Sequence, residues 1–96
     1  MKPTLAEEKS TTENNISFSK IPTGPFCIVV GSNDPRNHQR VAFSSVSGCK
    51  LTILSTWADG YIAYSAQKAT GTITISSTNS SDYGVREIKA SLITLT

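Results

Sequence analysis

From residue 16 onward, apolar and polar positions mostly alternate, in short runs separated by turn-forming residues. ISFSK (16–20) alternates, and PFCIVVG (25–31) is a continuous apolar run of the kind that suits a strand covered on both faces. RVAFSS (40–45) alternates through Val41 and Phe43, and CKLTILST (49–56) sets Cys49, Leu51 and Ile53 on one face. YIAYSAQ (61–67) follows at once. TGTITISS (70–77) sets Ile73 and Ile75 on one face and Thr72, Thr74 and Ser76 on the other. GVREIKASLITLT (84–96) is the longest run and mixes both patterns. Turn formers stand between the runs: Pro22 to Pro25, Gly31 to His38, Ser47-Gly48, Asp59-Gly60, Gly71, and Thr78 to Gly84. The pattern predicts an all-β fold of about seven short, mostly antiparallel strands in a β-sandwich or small barrel.

One hairpin can be written residue by residue. Asp59-Gly60 is a two-residue turn pair of the type that tolerates positive φ and matches strand twist. It pairs Ala58 with Tyr61, Trp57 with Ile62, Ser55 with Tyr64 and Ile53 with Ala66. Cross-strand partners share a face. Leu51, Ile53, Trp57, Ile62, Tyr64 and Ala66 therefore make a core face, while Leu54 and Tyr61 interrupt a polar one. Two readings of that interruption stay open: a second sheet packs there, or a neighbouring subunit does.

Residues 1–15, MKPTLAEEKSTTENN, differ from the body at 16–96, which reads as a single β domain. The segment has one large aliphatic residue, Leu5, and a net charge of −1 from Lys2 and Lys9 against Glu7, Glu8 and Glu13. It is expected to be a flexible polar arm, because it cannot bury enough apolar surface to offset its chain entropy. Thr4 and Glu7 complete a capping-box pattern for a helix over 4–9, but six residues are too few to hold one alone. At the other end, SLITLT has no charge after Lys89. It reads as an edge-capable strand that invites a neighbour unless it is paired centrally.

Composition narrows the function classes. Charged residues are 17% of the chain, against roughly 25% in ordinary globular proteins. Ser and Thr fill the difference: 14 Ser and 12 Thr make 26 of 96 residues. The net charge of +2 is small, and the basic residues Arg36, Arg40, Lys50, Lys68, Arg86 and Lys89 are scattered, which argues against nucleic acid as a partner. No run approaches the ~20 apolar residues of a membrane span. The first residues lack the apolar core of a secretory signal, so synthesis in the cytoplasm and free thiols at Cys27 and Cys49 are expected. No metal or cofactor is expected: the chain has no C-x-x-C and a single His.

Catalysis finds little to work with. His38 shares a polar, Pro-containing loop with Asp34, which reads as a solvated loop rather than an oriented base. The chain contains no G-x-S-x-G elbow and no P-loop, and it is read as not an enzyme. A glycan is the alternative partner. Trp57, Asp59 and Tyr61 surround one hairpin tip, where aromatic faces stand beside a hydrogen-bonding carboxylate. Against that, Trp57 lies on the predicted core face.

A small, Ser/Thr-rich, weakly charged β body with a polar arm and a chain ending on a strand resembles the small β-rich structural proteins of bacteriophage virions, such as capsid decoration proteins and tail or fibre components. The resemblance is one of overall character across the chain. It implies a multi-copy structural protein of the virion, contacting copies of itself and other virion proteins through its arm and edge strands. The candidate interface residues are Leu5, Leu54, Tyr61, Leu92, Ile93 and Leu95.

Overall fold

The computed structural model describes residues 2–33, 39–58, 62–78 and 87–96. Eight strands form among them: β1 (Pro3–Thr11), β2 (Asn15–Phe18), β3 (Phe26–Ser32), β4 (Val41–Ser44), β5 (Thr56–Ala58), β6 (Ala63–Ala69), β7 (Thr72–Ser77) and β8 (Ile88–Leu95). They make two antiparallel four-stranded sheets, ordered β1-β8-β3-β4 and β2-β7-β6-β5. The fold is all-β, as the alternation predicts, and it is a sandwich of two sheets rather than a closed barrel.

The period of two builds the core directly. Ile28, Val30, Phe43, Ile88, Ala90 and Leu92 of the first sheet, and Phe18, Tyr64, Ala66, Ile73 and Ile75 of the second, are each at most 1% exposed. Burying such a side chain contributes about 1.5–3 kcal/mol. Thr72, Thr74 and Ser76 alternate with Ile73 and Ile75 and sit on the wetter face of β7, as expected. Gly71 closes the β6–β7 hairpin at φ +73°, in the left-handed region that a glycine enters without a Cβ clash.

Three expectations are corrected. The first concerns the arm. Residues 3–11 are neither flexible arm nor helix but the edge strand β1, paired with β8 from Pro3–Leu95 to Thr11–Ile88. Composition reports on side-chain burial, and none of the nine β1 side chains is buried. Backbone pairing holds the strand instead, by satisfying the edge of β8. Polar contacts add to it. Lys9 Nζ donates to the Ser17 carbonyl at 2.7 Å and lies 5.6 Å from the Phe18 ring centroid. Ser91 Oγ donates to Glu8 Oε2 at 3.1 Å, and Lys89 Nζ lies 3.8 Å from Glu8 Oε1. For the same reason β8 is not an edge: β1 flanks it on one side and β3 on the other.

The second correction concerns residues 49–56, which do not form a strand. The chain turns at 47–48, makes one parallel bridge between Ser44 and Thr52, and enters β5 only at Thr56. This stretch has to serve both sheets. On the first sheet, Ser44 N–H donates to Leu51 O at 2.9 Å and Ile53 N–H to Ser44 O at 3.0 Å. On the second, Leu54 N–H donates to Ala66 O at 2.6 Å and Ala66 N–H to Ser55 O at 3.1 Å. The crossing is a Thr52–Ser55 turn, closed by Ser55 N–H to Thr52 O at 2.9 Å, with Leu54 at φ +88°. A positive φ at that third position alone is the pattern of a type II turn, which favours Gly or Asn there.

The third correction is to the hairpin register. Trp57 pairs with Tyr64 rather than Ile62, and Ala58 with Ala63 rather than Tyr61. The expected Asp59-Gly60 turn lies outside the described residues. The slip is two residues, so the paired side chains keep their faces. Ile62, Tyr64 and Ala66 are buried, and Leu51, Ile53 and Trp57 pack against the core, as the pattern requires.

Candidate functional site

The outward face of the first sheet can be read row by row from its register, because directly paired residues share a face. Pro3 lies opposite Leu95. Leu5, Ile93 and Cys27 form the next row, followed by Glu8, Ser91 and Val29, and then Ser10, Lys89 and Gly31. The face is thus divided. One end is apolar, with Pro3, Leu5, Ile93, Leu95 and Cys27, and Val29 stands at its border with the other; Leu5 is 57% exposed. The other end is a shallow polar groove of about 340 Å³ with Glu8, Glu87, Arg40 and Lys89 around it. Asn33 fixes Glu87 there, donating its N–H to Glu87 O and accepting Glu87 N–H on Oδ1, both at 3.1 Å. Gly31 leaves room for the Arg40 stem, since a Cβ at Gly31 would lie 3.1 Å from Arg40 Cγ.

At the apolar end Pro3 and Leu5 are exposed, and Ile93 and Leu95 are half-buried. PFCIVV predicts a strand covered on both faces, and β3 is covered on one: Phe26, Ile28 and Val30 are buried, while Cys27 and Val29 are half-buried. The two cysteines are unbridged. Partial burial raises the Cys27 thiol pKa by penalising the thiolate, whereas Cys49 is exposed.

The six expected interface residues divide. The first sheet brings Leu5, Ile93 and Leu95 together. Leu92 is corrected: it is 1% exposed and points into the core, because it falls one step out of phase with Ile93. Leu54 is 71% exposed but stands on the flank, at the crossing turn. Tyr61 lies outside the described residues. Pro3, Cys27 and Val29 join this surface without having been expected there. The run of apolar residues on both faces of β3 was the signal for Cys27 and Val29, and Pro3 carried none.

A second concavity, about 350 Å³, lies on the flank where the edge strand β4 meets Trp57 of β5. Leu51, Ala42, Lys50, Arg40 and Cys49 also line it. Trp57 is half-buried and stacks on Tyr64, with ring centroids 5.9 Å apart and an interplanar angle of 19°. Of the residues considered for a glycan, Trp57 lines this groove, and Asp59 and Tyr61 lie outside the described residues. The outer face of the second sheet is neutral and hydroxyl-rich, with Ser17 Oγ and Thr74 Oγ1 3.1 Å apart and Ser76 Oγ donating to Asn15 Oδ1 at 2.8 Å.

Among the described residues, no three of His, Cys, Asp and Glu gather as metal ligands, and no helix is long and apolar enough to cross a membrane. His38 and Asp34 lie outside the described residues. Comparison with known protein families, curated proteins and solved structures finds no match.

Proposed function

We propose that this chain is a non-enzymatic assembly protein that works in many copies, packing the open face of its first sheet against neighbouring subunits. One observation carries the reading. The apolar end of that face joins the exposed Leu5 to the half-buried Ile93, Leu95 and Cys27 across three adjacent strands. A contiguous apolar patch with a polar border is the usual mark of a protein contact. The resemblance in overall character to bacteriophage virion proteins supports a place in a shell, tail or fibre.

The edge of β1 is a poorer candidate for the contact than the face. β1 carries a bulge at Ala6 between the Leu5 and Glu7 registers, begins with a proline, and turns Lys9 inward over Phe18. Bulges, prolines and inward charges are devices that keep sheet edges from pairing with other chains. The contact is therefore face to face rather than edge to edge.

The test is the native mass by light scattering, for the intact chain and for Leu5→Glu and Ile93→Glu. Both positions point away from the core, so both variants fold. The intact chain is expected as a multi-subunit particle and the variants as smaller species. A particle of 10.3 kDa for the intact chain overturns the proposal.

A further inference from the structure

We infer that the flank groove beside β4 receives an extended, acidic segment of a partner protein, which adds to the free edge of β4. This rests on the assembly reading and names a second contact within it.

The backbone of β4 is set for such an addition. Ser44 turns both its N–H and its C=O away from β3, to Leu51 O and from Ile53 N–H. Ser45 N–H, one residue on, donates back to Phe26 O at 3.0 Å, so the direction alternates as a strand requires. Two residues before Ser44, Ala42 therefore also directs its N–H and C=O outward, and neither has a partner among the described residues. A parallel ladder continued from Ser44 would bring residues 49–51 to Ala42, and no such bond forms among the described residues. The groove is the space left where that pairing stops.

The walls specify the chemistry of the occupant. Trp57, Leu51 and Ala42 offer an apolar floor, and the two charged residues of the described lining, Lys50 and Arg40, are both cationic; Arg40 also borders the polar groove of the open face. The described lining residues include no carboxylate. Strand addition takes its affinity from main-chain hydrogen bonds and its specificity from pockets for alternate side chains. The fitting segment is extended, with an apolar side chain for the Trp57 floor and acidic neighbours for Arg40 and Lys50. The contrast with β1 favours this edge: β4 carries no bulge, proline or inward charge.

Trp57 is the one tryptophan of the chain, so its fluorescence reports on the groove directly. The probes are acetyl-EVEVE-amide, its lysine counterpart acetyl-KVKVK-amide, and EVEVE methylated on alternate backbone nitrogens. The acidic peptide should shift the emission saturably, and the other two should bind at least about tenfold more weakly. Lys50→Glu brings the described lining from two positive charges to none and should erase the preference for the acidic over the basic peptide. Ala42→Pro removes the outward N–H while leaving the β3 ladder intact, and should abolish binding of the acidic peptide. If Ala42→Pro fails to fold, the exposed Lys50→Glu still decides the matter. Equal binding of the methylated peptide, equal binding of the basic peptide, or no shift with any peptide overturns the inference. So does a shift with hyaluronan oligosaccharide in place of peptide. The assembly reading fails separately, on native mass and the Leu5 and Ile93 variants.

Discussion

Leu54 is the sharpest place to test the energetics of this fold. It holds φ +88° in the Thr52–Ser55 turn, and its side chain is 71% exposed. Leu54→Gly changes three terms. A left-handed backbone costs a residue with a Cβ about 1–2 kcal/mol, which glycine releases. The added freedom of glycine in the unfolded chain costs about 0.5–1 kcal/mol. With three-tenths of the side chain buried, the lost burial is about 0.5–0.9 kcal/mol, scaled from about 1.5–3 for a whole leucine. The sum lies within about 1 kcal/mol of zero, although a buried leucine truncated even to alanine costs about 2–5 kcal/mol. Leu54→Val is the opposite control. It keeps an apolar side chain but puts a β-branched residue in the left-handed region, and should lose about 1 kcal/mol or more. Urea unfolding followed by Trp57 fluorescence gives both numbers, provided the m-value is unchanged. If glycine costs more than about 2 kcal/mol, or valine is tolerated as well as glycine, the turn is not strained and the reasoning fails.

Further outcomes follow from other particular residues. Ser77 is 7% exposed, and its hydroxyl has no hydrogen-bond partner among the described residues. Ser77→Ala should therefore raise stability by about 1 kcal/mol, seen as a higher urea midpoint; a lower midpoint would reveal a hidden partner. The Cys27 thiol is raised by burial, so the unfolded chain ionises first as pH climbs past the ordinary thiol pKa of about 8.5. Stability should fall from there upward, and Cys27→Ala should remove part of that fall; parallel pH curves for the two chains would argue against it. The exposed Cys49 should react with a maleimide well before Cys27, as mass spectrometry after brief labelling would reveal. Removing residues 2–11 should uncover the edge of β8 and cost solubility, measured as turbidity over time; an equally soluble truncated chain would count against the role of β1 as a cover.

The fold was legible in the strands whose two faces differ in polarity. Ile73 and Ile75 against Thr72 and Thr74 fixed β7, and the core partners of Trp57 survived a two-residue error in register because the period is two. What failed to show in the sequence was decided by backbone pairing, which side chains do not encode. β1 buries nothing, so its composition resembles a loose arm while its amides complete a sheet. Residues 49–56 alternate like a strand, but they bridge two sheets and bend at Leu54 to do so. The candidate surface was half legible for the same reason. Leu5, Ile93 and Leu95 could be named from exposed-strand logic, yet only the order β1-β8-β3 shows that they share a face with Cys27 and Val29.

The central position of β8 also bears on the order of events in folding. β1 and β3 do not pair with each other; both pair with β8. The second sheet draws on residues between Asn15 and Ser77, and its β6–β7 hairpin is local. The first sheet has no centre until β8 arrives, and Pro3 must then find Leu95 across nearly the whole chain. Such distant pairings pay their loop-closure entropy before they gain contacts, which slows folding. The hydroxyl-faced sheet can thus form first, and the sheet with the apolar outer face last. The surface assigned here to subunit contact would then come into being only in the final step, when the rest of the sandwich already stands.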